Sequence, residues 1–91
     1  MITAIVLLKA SREHINDVLE QLVDIPGVKE AYSVAGSWDI VAIIRVEEQE
    51  ELSEVVTKHM LKVKGITDSN TLIAFKAYSK HDLERMWGIG E

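Results

Sequence analysis

Apolar positions along this chain fall into two alternating patterns, and their order predicts the elements. Residues 2–8 form a short apolar, β-branched run, as a strand requires. Ser11 then stands at an N-cap position before Ile15, Val18, Leu19, Leu22 and Val23, a spacing that puts one apolar stripe on a helix. Pro26 and Gly27 end that helix and turn the chain into a second strand over residues 28–35, and Gly36-Ser37 marks the turn out of it. Residues 39–46 predict a third strand, and Leu52, Val55, Val56, Met60 and Val63 predict a second helix closed by Gly65. A last strand is predicted over residues 71–78, and 80–87 can add a helical turn.

Sliding the sequence against itself shows why the two halves look alike. At an offset of 38, Ile2 meets Ile40, Ala4 meets Ala42, Ile5 meets Ile43, Val6 meets Ile44, Val18 meets Val56, Leu22 meets Met60, Gly27 meets Gly65 and Val28 meets Ile66, without a gap. Two βαβ units follow. The predicted class is α+β, the ferredoxin-like split βαβ arrangement (βαββαβ): a four-stranded antiparallel sheet with two helices on one face. Residues 1–79 make that domain and 80–91 a tail.

The uncovered face of such a sheet is normally polar. Here Ile2, Ala4, Val6 and Leu8 alternate with Ile5 and Leu7, and Ile40, Ala42, Ile44 and Val46 alternate with Val41 and Ile43, so both faces are apolar. A homodimer paired through the bare faces is expected. The competing cover is the tail, with Leu83, Met86, Trp87 and Ile89, but it is short and broken by glycines.

Charge and composition then remove whole classes of function. Fifteen acids against ten bases give a net charge of −5. Without a basic stripe or a helix-turn-helix pattern, direct nucleic-acid binding is disfavoured. The absence of Cys excludes disulfides, thiolate zinc sites and thiol nucleophiles. No apolar run approaches a membrane span and no basic leader opens the chain, so a cytoplasmic protein that does not engage membranes is expected. The run Glu47, Glu48, Glu50, Glu51 reads as a helix start matched to the helix dipole, with Lys58, Lys62 and Lys64 at the other end.

Catalytic groupings are thin: His14, His59 and His81 share no metal-ligand spacing, and no nucleophile stands beside a base. No metal or other cofactor is implied. Gly36, Ser37, Trp38 and Asp39 differ from an ordinary turn because a large aromatic sits among small polar residues, and Trp more often covers a pocket or another subunit than water. Thr67, Asp68, Ser69 and Thr71 add hydrogen-bonding groups after Gly65. A carboxylate with free amides and hydroxyls suits a zwitterionic amino acid.

At these residues the chain resembles the ligand-sensing (RAM) domain of the Lrp/AsnC transcriptional regulator family, over residues 1–79. The pattern is Pro26-Gly27-Val28, then Val34-Ala35-Gly36-Ser37-Trp38-Asp39-Ile40, then Gly65-Ile66-Thr67 and Thr71. The resemblance implies a ferredoxin-like homodimer joined through its sheets, an octamer or decamer ring, and an amino acid effector bound between dimers. By position, Gly36 would offer backbone approach, Asp39 would fix the ligand or the loop, and Trp38, where the family more often has Tyr, would wall the pocket. Thr67, Asp68, Ser69 and Thr71 would face it.

Without a helix-turn-helix the chain resembles stand-alone members, acting in regulation of amino acid metabolism or transcription through a small-molecule effector. A second class of function is an adaptor that co-assembles with full-length relatives. A small dimeric ferredoxin-like enzyme using His14 or His59 ranks below both, because it rests on fold analogy alone.

Overall fold

The computed structural model describes residues 1–76, 78 and 80. Four strands form a single sheet in the order β2-β3-β1-β4, all neighbours antiparallel: β1 (Ile2–Ala10), β2 (Val28–Ser33), β3 (Ile40–Val46) and β4 (Ile66–Ile73). A 3-10 turn (Arg12–His14) leads into α1 (Ile15–Val23). The second helix begins as α2 (Gln49–Glu54), widens to a π-turn (Val55–His59) and tightens to a 3-10 turn (Met60–Lys62). The ferredoxin-like split βαβ architecture expected from the repeat is the one observed.

The core lies between the sheet and the helices. Ala4, Val6, Leu8, Ile40, Ala42 and Ile44 are completely buried, and they meet Val18, Leu22 and Met60 from the helical layer. Strand alternation sends Ile5, Leu7, Val41 and Ile43 to the opposite face, where the sheet leaves each half-buried. Tyr32 and Leu72, half-exposed, extend that apolar surface to both edge strands, since Tyr32 pairs with Val41 and Leu72 with Ile5.

Several local expectations change. The last strand runs from Ile66 to Ile73, starting and ending five residues before the predicted 71–78. Thr67, Asp68, Ser69 and Asn70 therefore belong to an edge strand, where polar side chains meet water, and not to a loop. The second strand stops at Ser33, and the first continues to Ala10. Ser11 makes no side-chain cap bond; its carbonyl accepts from the His14 amide (2.8 Å) instead. Val23, placed on the helix stripe, is half-exposed. The tail 80–91, its helical turn and the cover by Leu83, Met86, Trp87 and Ile89 lie outside the described residues, Lys80 excepted.

The second helix starts on a capping box: the Glu51 carboxylate accepts the Glu48 amide at 2.9 Å and the Glu47 amide at 3.2 Å. At the two repeat-related glycines the chain turns into a strand with positive φ, +100° at Gly27 and +106° at Gly65. A Cβ on Gly65 would lie 3.0 Å from Cβ of His14 and 3.1 Å from Cγ2 of Val18. Left-handed backbone and crowding act together there, so Gly65→Ala is expected to lower unfolding free energy by about 2–3 kcal/mol in urea titration. A loss below about 0.5 kcal/mol would mean the turn relaxes freely.

Candidate functional site

The hairpin joining β2 to β3 is held by its last residue. The Asp39 carbonyl accepts the Val34 amide at 2.9 Å, closing the loop, while the Asp39 amide donates to the Leu8 carbonyl at 2.9 Å. The Asp39 carboxylate goes further and accepts the Ala10 amide at 3.0 Å, in a partly buried position. The Ala10 amide lies on the β3 side of β1, just past Leu8–Ile40, the last pair of the β1–β3 ladder. Asp39 thus serves an amide just past the end of the β1–β3 ladder, which fixes the loop.

Gly36 and Ser37 are exposed at the loop tip, and Gly36 has φ +133° with open space where a Cβ would stand. Trp38 is half-buried, with the Lys9 ammonium 5.4 Å from its ring centroid, a cation–π contact. Lys9 continues the Ile5, Leu7 row on the bare face and pairs across the ladder with Asp68. Trp38, Lys9 and Asp68 consequently form one row across the end of the uncovered face.

The other candidates are divided by strand alternation. Ser69 pairs with Leu8 and Thr71 with Val6, which places both on the helix-facing side, opposite Asp68. Thr67 sits in the bulge between the Lys9–Asp68 and Ala10–Ile66 pairs. The structure therefore brings Trp38 and Asp39 close to Asp68 at one sheet end, and leaves Thr71 further along on the other face. Lys9 was missed by sequence reasoning, although the alternation Ile5, Leu7, Lys9 carries the signal.

On the same face Tyr32 stands on the edge strand near the loop, paired with Val41, with Glu30 next along β2 and Arg45 toward the far end of β3. The Glu30 carboxylate, as hydrogen-bond acceptor and as negative charge, holds the Tyr32 phenol above its ordinary range, against a smaller opposing effect of Arg45. The bare face is thus apolar in the middle and charged at both ends.

None of Gly36, Ser37, Trp38, Asp39, Thr67, Asp68, Ser69 or Thr71 lines either of the two best-formed clefts among the described residues. His14 packs against Gly65 with Nδ1 buried and without a hydrogen-bond partner, while His59 is exposed on the π-turn and reaches both clefts. Among the described residues no three His, Asp or Glu side chains are grouped to hold a metal ion, and no helix is long and apolar enough to cross a membrane.

Comparison with known proteins bears on the family and the fold. A family model described as the Lrp/AsnC ligand binding domain matches residues 3–83. An HTH-type transcriptional regulator of Pyrococcus furiosus is 37% identical over 59 residues, 65% of this chain but 39% of that protein; the chain thus matches well under half of that curated relative. The crystal structure of TTHA0845 from Thermus thermophilus superposes with a TM-score of 0.82 at 40% identity, covering 88% of this chain and 100% of that one. The Neisseria meningitidis regulator NMB0573, solved as a complex with L-Met, shares the fold at a TM-score of 0.77 and 15% identity, over 86% of this chain and 52% of that one. By the matched span of 3–83, with a sheet order that fits, the chain belongs to the Lrp/AsnC ligand-binding domain family.

Proposed function

We propose that the chain is a cytoplasmic amino-acid-sensing module: it pairs with a second copy through its bare sheet face and binds an effector where the 36–39 loop meets a neighbouring subunit. It regulates by changing assembly or partner binding, without catalysing a reaction and without binding DNA itself. The observation that carries this reading is the common placement of the loop and the apolar face. Trp38, Lys9 and Asp68 stand at the rim of the surface made by Ile5, Leu7, Val41 and Ile43, so an event at the loop reaches the assembly interface directly. The L-Met complex of the Neisseria relative supports the ligand class.

Gly36, Ser37 and Trp38 are the residues of the loop proposed to meet the ligand, with Asp39 setting their position. Thr67 and Asp68, and more distantly Ser69 and Thr71, are proposed to complete the site from β4. The same surfaces would serve co-assembly with longer relatives, one of which this chain matches over 39% of its length. An octamer or decamer ring is the higher assembly proposed.

Three measurements test the reading. Ile43→Lys puts a charge in the middle of the paired faces, where burying it unpaired is costly; analytical ultracentrifugation should show monomer, and an unchanged mass would remove the sheet-face dimer. A thermal-shift series over the common amino acids at millimolar concentration should raise Tm by several degrees for at least one, because a ligand bound only by the folded form stabilises it by mass action. A flat series would count against sensing. Asp39→Ala strands the partly buried Ala10 amide and should cost about 1–3 kcal/mol in urea unfolding, whereas Trp38→Ala forfeits about 0.5–1 kcal/mol of cation–π contact yet abolishes the ligand-induced Tm rise.

A further inference from the structure

On the helical side of the sheet, a groove of about 360 Å³ runs between α1 and the second helix. Its lining maps onto itself under the internal repeat. At the offset of 38, Gln21 corresponds to His59, Asp24 to Lys62 and Ile25 to Val63, and all six line the groove. The internal twofold of the repeat therefore passes through it, with Ile25 and Val63 buried at equivalent places.

Charge breaks that symmetry. Glu20 on α1 stands where the second helix has Lys58, and Asp24 stands where it has Lys62. Asp17, Glu20 and Asp24 recur at spacings of three and four residues, so they share one side of α1, and all three are exposed. Lys58, His59 and Lys62 are exposed along the other wall. One flank of the groove is acidic and the other basic.

Folding leaves these charges unspent. Asp24 is the C-cap of α1, whose last turn carries no basic residue, so its carboxylate opposes the helix dipole. Among the described residues neither Asp24 nor Lys62 has an ion-pair partner, and Lys58 has an exposed one, Glu54 at 3.5 Å, of little worth in water. A second copy, given half a turn about a line along the groove, lays its α1 over the first copy's second helix and its second helix over the first copy's α1. Each acidic flank then meets a basic one, twice over, which is the self-complementarity that an isologous contact needs.

We propose that this groove and its flanks are a second self-association surface, through which one sheet-paired dimer joins another, the Glu20 and Asp24 flank of each copy lying on the Lys58 and Lys62 flank of the other. The inference rests on the sheet-face pairing proposed above and deepens the reading of a higher assembly, because two unlike twofold contacts on opposite faces join dimers to dimers. A contact between exposed charges is weak by itself. It holds where sheet pairing links many such contacts into one assembly, so Ile43→Lys, which lacks that pairing, is still a monomer.

Analytical ultracentrifugation of the intact protein tests it. Lys58→Glu with Lys62→Glu makes both flanks acidic, and Glu20→Lys with Asp24→Lys makes both basic; each variant alone should sediment as the sheet-paired dimer, with an unchanged circular dichroism spectrum. Mixing the two variants should restore the parent's higher mass, and so should the fourfold reversal in a single chain. Raising salt from about 0.1 M to about 1 M, which shortens the screening length from about 10 Å to about 3 Å, should reduce the parent to the dimer and no further. If both charge variants keep the parent's mass, if the mixture stays dimeric, or if the parent is already a dimer at low salt, the groove contact is overturned and the sheet-face reading stands. A parent that sediments as a monomer overturns both.

Discussion

Strand β1 is flanked on both sides, by β3 and by β4, and carries apolar side chains on both faces. Such a strand has no side that water can satisfy, so each of its surfaces demands a partner. One face is met inside the chain, where Ala4, Val6 and Leu8 disappear beneath the helices. The other keeps Ile5 and Leu7 only half-buried, and that deficit turns a small domain into one suited to assembly, since a chain this short buries little surface alone.

The same strand also decides where chemistry can sit. Its pairing with β3 ends at Leu8–Ile40, and just beyond, at Ala10, the Asp39 carboxylate supplies the acceptor that the ladder no longer does. Satisfying that amide ties the hairpin loop to the sheet end and lays Trp38 against Lys9. Asp39 is better understood as the residue that makes the loop a fixed object than as a free group awaiting a ligand.

Much of this was legible because the repeat has a physical cause: two like crossover units must each bury one helix stripe and turn at one left-handed residue. The pairing of Val28 with Ile66 across the offset of 38 already places the start of β4 at residue 66. Reading Thr67, Asp68, Ser69 and Asn70 as a loop overrode it, since composition alone treats polar residues as turns, whereas an edge strand tolerates them on a solvated flank. Of the candidate site, the loop could be found from Trp38 among small residues, but the division of Asp68 from Ser69 and Thr71 could not, because it depends on a register that a single bulge resets.

Divergence between the two halves is as informative as their likeness. Leu22 and Met60 are equivalent and both fully buried, so the core has kept its symmetry. The helices around them have not: α1 is regular through Val23, whereas its counterpart changes winding twice within one short run. A core that stays symmetric while one helix departs from its mate opens space beside that helix, next to Gly27 and the Lys29 bulge. Duplication thus gives the fold its paired core, and the breaking of the duplicate's symmetry gives it a concavity that two perfect copies would lack.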